Sequence, residues 1–370
     1  MPLLDDMRGS SFDKIFIGIV LTLLVTGIFA FWSASLGILA KSEAIFFNMI
    51  SSQFLLGVCG GLVSFIILAL IPYKKWKKFA LPILVFSAIT TALVFVSGIG
   101  FEHGGAKRWI HILGFSFQPS EFLKFGIILY AAAWYSFVKT RVENWRYGLL
   151  PFIVFIGLAT TLVLTQPDTG TFIVLSAGVF AIYFSAGAPF KHIVVLAFIA
   201  LVSVVLLVSM RPYIKDRVMT FINPSSDPLG SSYQIQQSLV AIGSGGLTGR
   251  GYGQSVQKFN FLPEPVGDSI FAVWSEEFGF IGSVFIVLLF LIFTMRGLRI
   301  ANKSNDNFGK FLATGFVVMI SVGSFLNIAA LTGIVPLTGV PLIFVSQGGT
   351  ALLFALAEVG IVANISRFSS

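Results

Sequence analysis

Charge is what this 370-residue chain has least of. Asp, Glu, Lys and Arg together make up 11%, where a soluble domain carries about 25%. Cysteine is nearly missing as well: Cys59 stands alone, which excludes an intrachain disulfide and leaves the redox compartment unread. The three histidines, His103, His111 and His192, include no pair at metal-ligand spacing on a helix, which argues against a zinc site. No Walker loop, dinucleotide fingerprint or nucleophile elbow is present, so ATP-driven transport within the chain is not expected. What fills the space is apolar: 56% hydrophobic residues, 40 of the 370 phenylalanine. A water-soluble core could not hide that much apolar surface, but lipid can. The N-terminal stretch MPLLDDMRGSSFDK is too acidic for a signal peptide, so the first apolar run reads as a retained span.

A span needs about 20 mostly apolar residues. Ten segments qualify, near 13–36, 47–72, 79–98, 119–138, 148–166, 169–186, 190–210, 268–295, 309–332 and 341–366. The expected fold is therefore an all-α polytopic membrane protein, one integral-membrane domain over 1–370.

Ten spans put alternate loops on opposite sides. One set carries 15 cations, from Arg8 and Lys14 through the Lys74–Lys78 cluster to Arg296, Arg299, Lys303, Lys310 and Arg367. The other carries 8: Lys41, Lys107, Arg108, Arg211, Lys215, Arg217, Arg250 and Lys258. Lys and Arg favour the cytoplasmic side, which predicts both termini inside. The net charge of +8 then reads as topological signal near anionic headgroups, and no nucleic-acid partner is needed.

The outward loops are unequal. Residues 211–267 form a long extracytoplasmic loop between spans 7 and 8. It holds two short amphipathic patterns, 211–222 and 232–243, followed by the Gly-rich run 243–253. A long ordered loop is usually functional.

Ionisable groups at membrane depth cost roughly 2.5–3.5 kcal/mol each on insertion scales, so those present need a reason. Glu121 and Lys124 are three apart and share a helix face; they read either as a structural pair or as the lining of a substrate cavity. Glu276 and Glu277 read as caps for polar groups inside the bundle, and Glu358 as structural. Asp168 reads as the N-cap of the sixth helix, though an outward helix start also suits an anion. Asp268 closes the long loop and opens the run 269–274. It is either another N-cap or a carboxylate whose burial beside hydrocarbon tunes it as a base.

Several strings resemble the motifs of one family. GAKRWIHI (105–112), QPSEFLK (118–124), QPDTGT (166–171), the loop run 223–258, FLPE (261–264), SIFAVWSEEFGFIG (269–282) and GVPLIFVSQGGTALL (339–353) are similar to those of the SEDS proteins, the RodA/FtsW family. They occur in the right order over nearly the whole chain and lie closer to the FtsW branch. The resemblance implies a peptidoglycan glycosyltransferase that polymerises lipid II on the outer face of a bacterial cytoplasmic membrane, for division or cell shape. It also implies a class B penicillin-binding protein as partner, with other divisome or elongasome membrane proteins. The family's essential aspartate falls on Asp268.

The leaving lipid pyrophosphate needs cations. Arg108, Arg217, Arg250 and Lys258 are candidates, each with a headgroup contact as the alternative, and a divalent cation, Mg or Mn, is the one cofactor expected, with no metal ligands assigned. Glu121, Lys124 and Asp168 complete the substrate-binding or cavity set. Three positions depart from the family. Val266-Gly267 stand where His-Thr is common, Gln347 to Thr350 where Tyr-Gly-Gly-Ser is common, and Ile343 where Pro is common. Two other classes stay open: a lipid II flippase, whose essential groups would line the bundle interior, and a non-catalytic divisome scaffold.

Overall fold

The structure, a computed structural model, describes residues 11–103, 106–112, 115–223 and 232–368. Arg8, Gly105 and the 224–231 part of the loop motif lie outside the described residues. In chain order come α1 (Lys14–Leu39), then α2 (Glu43–Ser51), which runs through a π-helical stretch (Ser52–Gly60) into α3 (Gly61–Leu70), and α4 (Trp76–Ala92). Next are β1 (Gly100–His103), β2 (Ala106–Ile112), β3 (Phe115–Phe117), α5 (Pro119–Val138) and α6 (Leu149–Ala159), which ends in a π turn (Thr160–Leu164). The remainder is α7 (Thr169–Ser185), α8 (Phe190–Met210), α9 (Pro212–Ile222), α10 (Tyr233–Ser244), α11 (Ile270–Asn302), α12 (Asn307–Leu331) and α13 (Gly349–Ser366).

Eight helical segments among the described residues are long and apolar enough to cross a membrane. The fifth and sixth passes, Leu149–Leu164 and Thr169–Ser185, are shorter than the others. At 17 residues, α7 is about 25 Å long, just under a hydrocarbon core of about 30 Å. Hydrogen bonds fasten both helices at their ends. Tyr135 Oη donates to the Gly148 carbonyl at 2.9 Å before α6, and Tyr183 Oη pairs with His192 Nδ1 at 2.6 Å after α7. The joint between the passes is held at the opposite end, where Arg108 Nε donates to the Gln166 carbonyl at 2.9 Å.

The chain ends meet at one end of the bundle. Asp13 N donates to Ser366 Oγ at 3.0 Å, Arg296 pairs with Asp13 at 2.8 Å, and Tyr73 N donates to Asn364 Oδ1 at 2.8 Å. An even number of passes requires this. Helix starts there are capped: Asp13 accepts from Phe16 N at 2.9 Å, and Asp306 from Gly309 N at 2.8 Å, which satisfies donors the helix leaves free. The centre is α5, α12 and α13, each mostly buried, while α8 buries only His192 and Leu196.

Three departures from a plain ten-helix bundle matter for the site. The loop after α4 is a three-stranded antiparallel sheet, ordered β1-β2-β3, with Gly100 opposite Ile110 and Ile110 opposite Phe117. The tenth pass is helical only from Gly349, and 332–348 run as turns and extended chain in front of it. Pro341 and the positive-φ Gly339 suit that course.

The eighth pass is broken at Gly279 (φ 64, ψ −159), a conformation essentially reserved for glycine. A break frees backbone groups that lipid cannot satisfy. The Gly-rich run 243–253 satisfies them. Phe280 N donates to Gly246 O at 2.9 Å and Ile281 N to Leu247 O at 3.2 Å, while Arg250 N and Gly251 N donate to Glu276 O and Glu277 O at 3.0 Å each. The contact is backbone on backbone: a Cβ on Gly249 would lie 2.1 Å from Glu277 O, and one on Gly279 would lie 2.4 Å from Gly249 N.

Candidate active site

The polar residues divide between three places. The first is the end of the bundle that carries Asp268. Asp268 sits one residue before the N-cap position of α11, which Ser269 occupies without a side-chain cap. Its carboxylate is thus not a capping group, and it accepts no hydrogen bond from any described residue. Its backbone, by contrast, is held firmly. Asn327 Nδ2 on α12 donates to both Asp268 O and Val340 O at 2.8 Å. Ser346 Oγ donates to Gly267 O at 2.8 Å, and Gln347 N to Val266 O at 2.7 Å. The residues at the family's departures, Val266, Gly267 and Gln347, therefore contribute main-chain atoms here. Neighbouring loop 332–348 fixes where the carboxylate stands.

Burial pushes the Asp268 carboxyl up to about 6, helped by Glu264 and Asp168 and opposed by Arg217 and Arg108. A carboxyl near that value is still mostly ionised at pH 7 and holds a proton better than an ordinary aspartate, which suits a general base. Arg217 on α9 stacks on Tyr213, 4.5 Å from the ring centroid, and its Nη1 donates to Leu337 O at 2.8 Å. Between Arg217 and Asp268 lies Gly339 at φ +70. A Cβ there would stand 3.4 Å from Asp268 Oδ2 and 3.5 Å from Arg217 Nη2. The missing side chain keeps the gap between carboxylate and guanidinium open.

Arg108 and Asp168 stand at this same end. Arg108, on β2, clamps the turn before α7 through the Gln166 carbonyl and, at 2.5 Å, the Pro167 carbonyl. Asp168 caps α7: its Oδ1 accepts from Thr171 N at 3.0 Å and its Oδ2 from Thr171 Oγ1 at 2.9 Å. Both act on Asp268 through their charge.

The second place is a buried cavity between α5, α7, α12 and α13. Glu121 and Lys124 meet there at 2.8 Å, with Glu358, Thr171 and Val340 in the same lining. Its free volume is about 20 Å³, room for a single water. Glu121 and Lys124 pair, and they line a cavity that reaches Val340 on the 332–348 loop.

The third place corrects the reading of Lys258. This side chain is fully buried, away from Asp268. Its Nζ donates to Glu277 Oε1 and Gly253 O at 2.8 Å and to Ser33 Oγ at 3.0 Å. All three protons of an ammonium are used, so none is left for a leaving group. Glu276 takes the other side of the same loop, accepting from Ser255 Oγ at 2.6 Å, Val256 N at 3.1 Å and Gln257 N at 3.2 Å. Arg250 approaches Glu276 at 3.4 Å. These charges fasten the long loop to α1 and α11.

Sequence reasoning passed over Asn327 and Gly339. Asn327 had a signal, an amide within an apolar span. Gly339 opens the motif 339–353, but its part in the site depends on a neighbour 71 residues away in sequence. Among the described residues no three His, Cys, Asp or Glu side chains converge to hold a metal.

Residues 13–370 match the cell cycle protein family that groups FtsW, RodA and SpoVE. Stage V sporulation protein E of Bacillus subtilis is 38% identical over 364 residues, covering 98% of this chain and 99% of the relative. A probable peptidoglycan glycosyltransferase FtsW of Trichlorobacter lovleyi is 38% identical, covering 97% and 94%. Among solved structures, a chain from a study of a peptidoglycan synthase complex that coordinates polymerization and crosslinking superposes with TM-score 0.78 at 25% identity, over 96% of this chain and 98% of that one. The rod shape determining protein RodA of Thermus thermophilus shares the fold at TM-score 0.68 and 24% identity, over 96% and 97%.

Proposed function

This chain belongs to the FtsW/RodA/SpoVE family of cell cycle proteins, and from that premise we propose how its outer end works. The chain is a peptidoglycan glycosyltransferase that polymerises lipid II into glycan strands. An acceptor hydroxyl attacks the anomeric carbon of the donor sugar. The new carbon–oxygen bond forms as the bond to the lipid pyrophosphate breaks and that group leaves with the electron pair. Asp268 takes the hydroxyl proton, a role worth typically 10²- to 10⁴-fold. Arg217 and Arg108 offset charge on the leaving pyrophosphate. A divalent cation, Mg or Mn, would add positive charge at the leaving pyrophosphate, and the described residues offer no three-ligand group to hold it.

The observation that carries this reading is the Asp268 carboxylate: firmly positioned through its backbone, unbonded to described residues, raised to about 6 and facing Arg217 across Gly339. The outer end faces away from the cytoplasm of a bacterial inner membrane, with both termini inside. A class B penicillin-binding protein supplies crosslinking, alongside other divisome or elongasome membrane proteins. A flippase would depend on interior groups, yet the cavity of Glu121 and Lys124 holds about one water, which favours the polymerase.

The test is purified protein with lipid II, with and without the cognate penicillin-binding protein, read as labelled glycan strands on a gel. Asp268→Asn is expected to lower polymerisation at least a hundredfold. Normal strands from that variant would overturn the assignment. A scaffold would make no strands in either form, and a flippase would move lipid II without extending it.

A further inference from the structure

At the end of the bundle opposite Asp268, where the chain ends meet, a cavity of about 370 Å³ opens between α1 and α11. It is lined by Ser11, Asp13, Lys14, Arg296, Arg299 and Lys303, with apolar Ile15 and Ile300 beside them. Its single carboxylate is already committed. Asp13 accepts from Arg296 Nε at 2.9 Å and Phe16 N at 2.9 Å, and pairs with Arg296 Nη2 at 2.8 Å. Asp13 and Arg296 therefore cancel, which leaves Lys14, Arg299 and Lys303 as three cations around one concavity with no carboxylate partner among the described residues. Three like charges facing one hollow repel each other unless an anion sits between them.

We propose that this cavity binds the phosphodiester headgroup of an anionic phospholipid from the adjoining leaflet. Three features of the cavity favour a lipid over a free ion. The volume exceeds that of about ten waters, far more than a lone phosphate fills. The cavity lies at headgroup level, at the ends of two membrane-length helices. The side chains flanking it toward the apolar zone, Ile15 and Met295, are 57% and 58% exposed, so an acyl chain lies against them while the headgroup enters. The ligand would bridge the start of α1 to the end of α11, beside the Asp13–Ser366 contact that holds the chain's end.

The experiment uses the full chain in detergent, with thermal melting and native mass spectrometry as readouts. The probes are phosphatidylglycerol, phosphatidylcholine and inorganic phosphate. The variants are Arg299→Gln with Lys303→Gln and, as a control that removes equal charge at the same end outside the cavity, Lys74→Gln with Lys75→Gln. Near a membrane each cation adds a similar increment of attraction. The cavity variant is therefore expected to bind phosphatidylglycerol on the order of tenfold or more weakly and lose most of its melting shift, while the control keeps both. Equal loss in the two variants would reduce the effect to general surface charge and overturn the proposal. Equal stabilisation by inorganic phosphate would overturn the lipid assignment. Arg299 and Lys303 are exposed, and Arg299→Lys with Lys303→Arg, which conserves charge, is expected to retain binding if folding is intact.

Discussion

Asp268 and Arg217 share a gap because residue 339 has no side chain. Gly339→Ala is expected to lower glycan polymerisation about tenfold or more, by placing a methyl 3.4 Å from Asp268 Oδ2 at a φ that disfavours any Cβ. Helix content by circular dichroism should stay unchanged, which separates lost chemistry from lost fold. The pH behaviour follows from the carboxylate as well. Only the ionised form accepts a proton, so kcat/KM should rise with pH through about 6 and level off above it. Glu264 raises the Asp268 value, so Glu264→Gln should move that limb to lower pH; an unmoved limb would assign it to another group. The stability sign runs the other way. Asp268 holds its proton more tightly folded than unfolded, so it stabilises the fold only below about pH 4, and that contribution is lost as pH rises through about 6. Asp268→Asn should then melt higher than the parent at pH 7, by an amount on the order of 1–2 kcal/mol once partial solvent screening is allowed for.

At the scale of the element, α11 is two helices joined at Gly279, and the Gly-rich loop supplies the backbone partners that the break requires. Gly279→Ala would put a Cβ 2.4 Å from Gly249 N and 2.6 Å from Leu247 O. It is expected to destabilise the protein by roughly 3 kcal/mol or more, seen as a lower melting temperature and loss of a monodisperse peak in detergent. A melting temperature within a degree of the parent would mean the loop does not carry the break. Composition pointed to this segment as a Gly-rich turn, but Lys258 was misjudged because spacing cannot tell a buried cation from an exposed one. Glu277 and Ser33 reach it from elements 19 and 225 residues away in sequence.

At the scale of the molecule, the clasp of Asp13, Arg296 and Ser366 and the assembly around Asp268 stand at opposite ends of one bundle. Topology is testable because Cys59 is the only native thiol. In a Cys59→Ser background, Lys41→Cys is expected to react with an impermeant maleimide in intact cells. Arg146→Cys should react only after the membrane is opened. The opposite pattern would invert the orientation drawn from 15 cations against 8.

The sequence by itself determined that the chain is a membrane bundle and where its apolar runs lie, because hydrophobic run length is a local quantity that survives without coordinates. It also exposed Asp268, through its place between a long loop and an apolar run. The tertiary structure alone decided which charges are spent on the fold and which remain for chemistry. Asp168 and Asp268 look alike as outward aspartates before helices, yet one is consumed capping Thr171 and the other is not. Likewise Lys258 and Arg217 share one loop, yet one is locked on Glu277 and the other faces the open carboxylate. Hydrogen-bond satisfaction depends on partners far off in sequence, and only packing brings those partners within 3 Å.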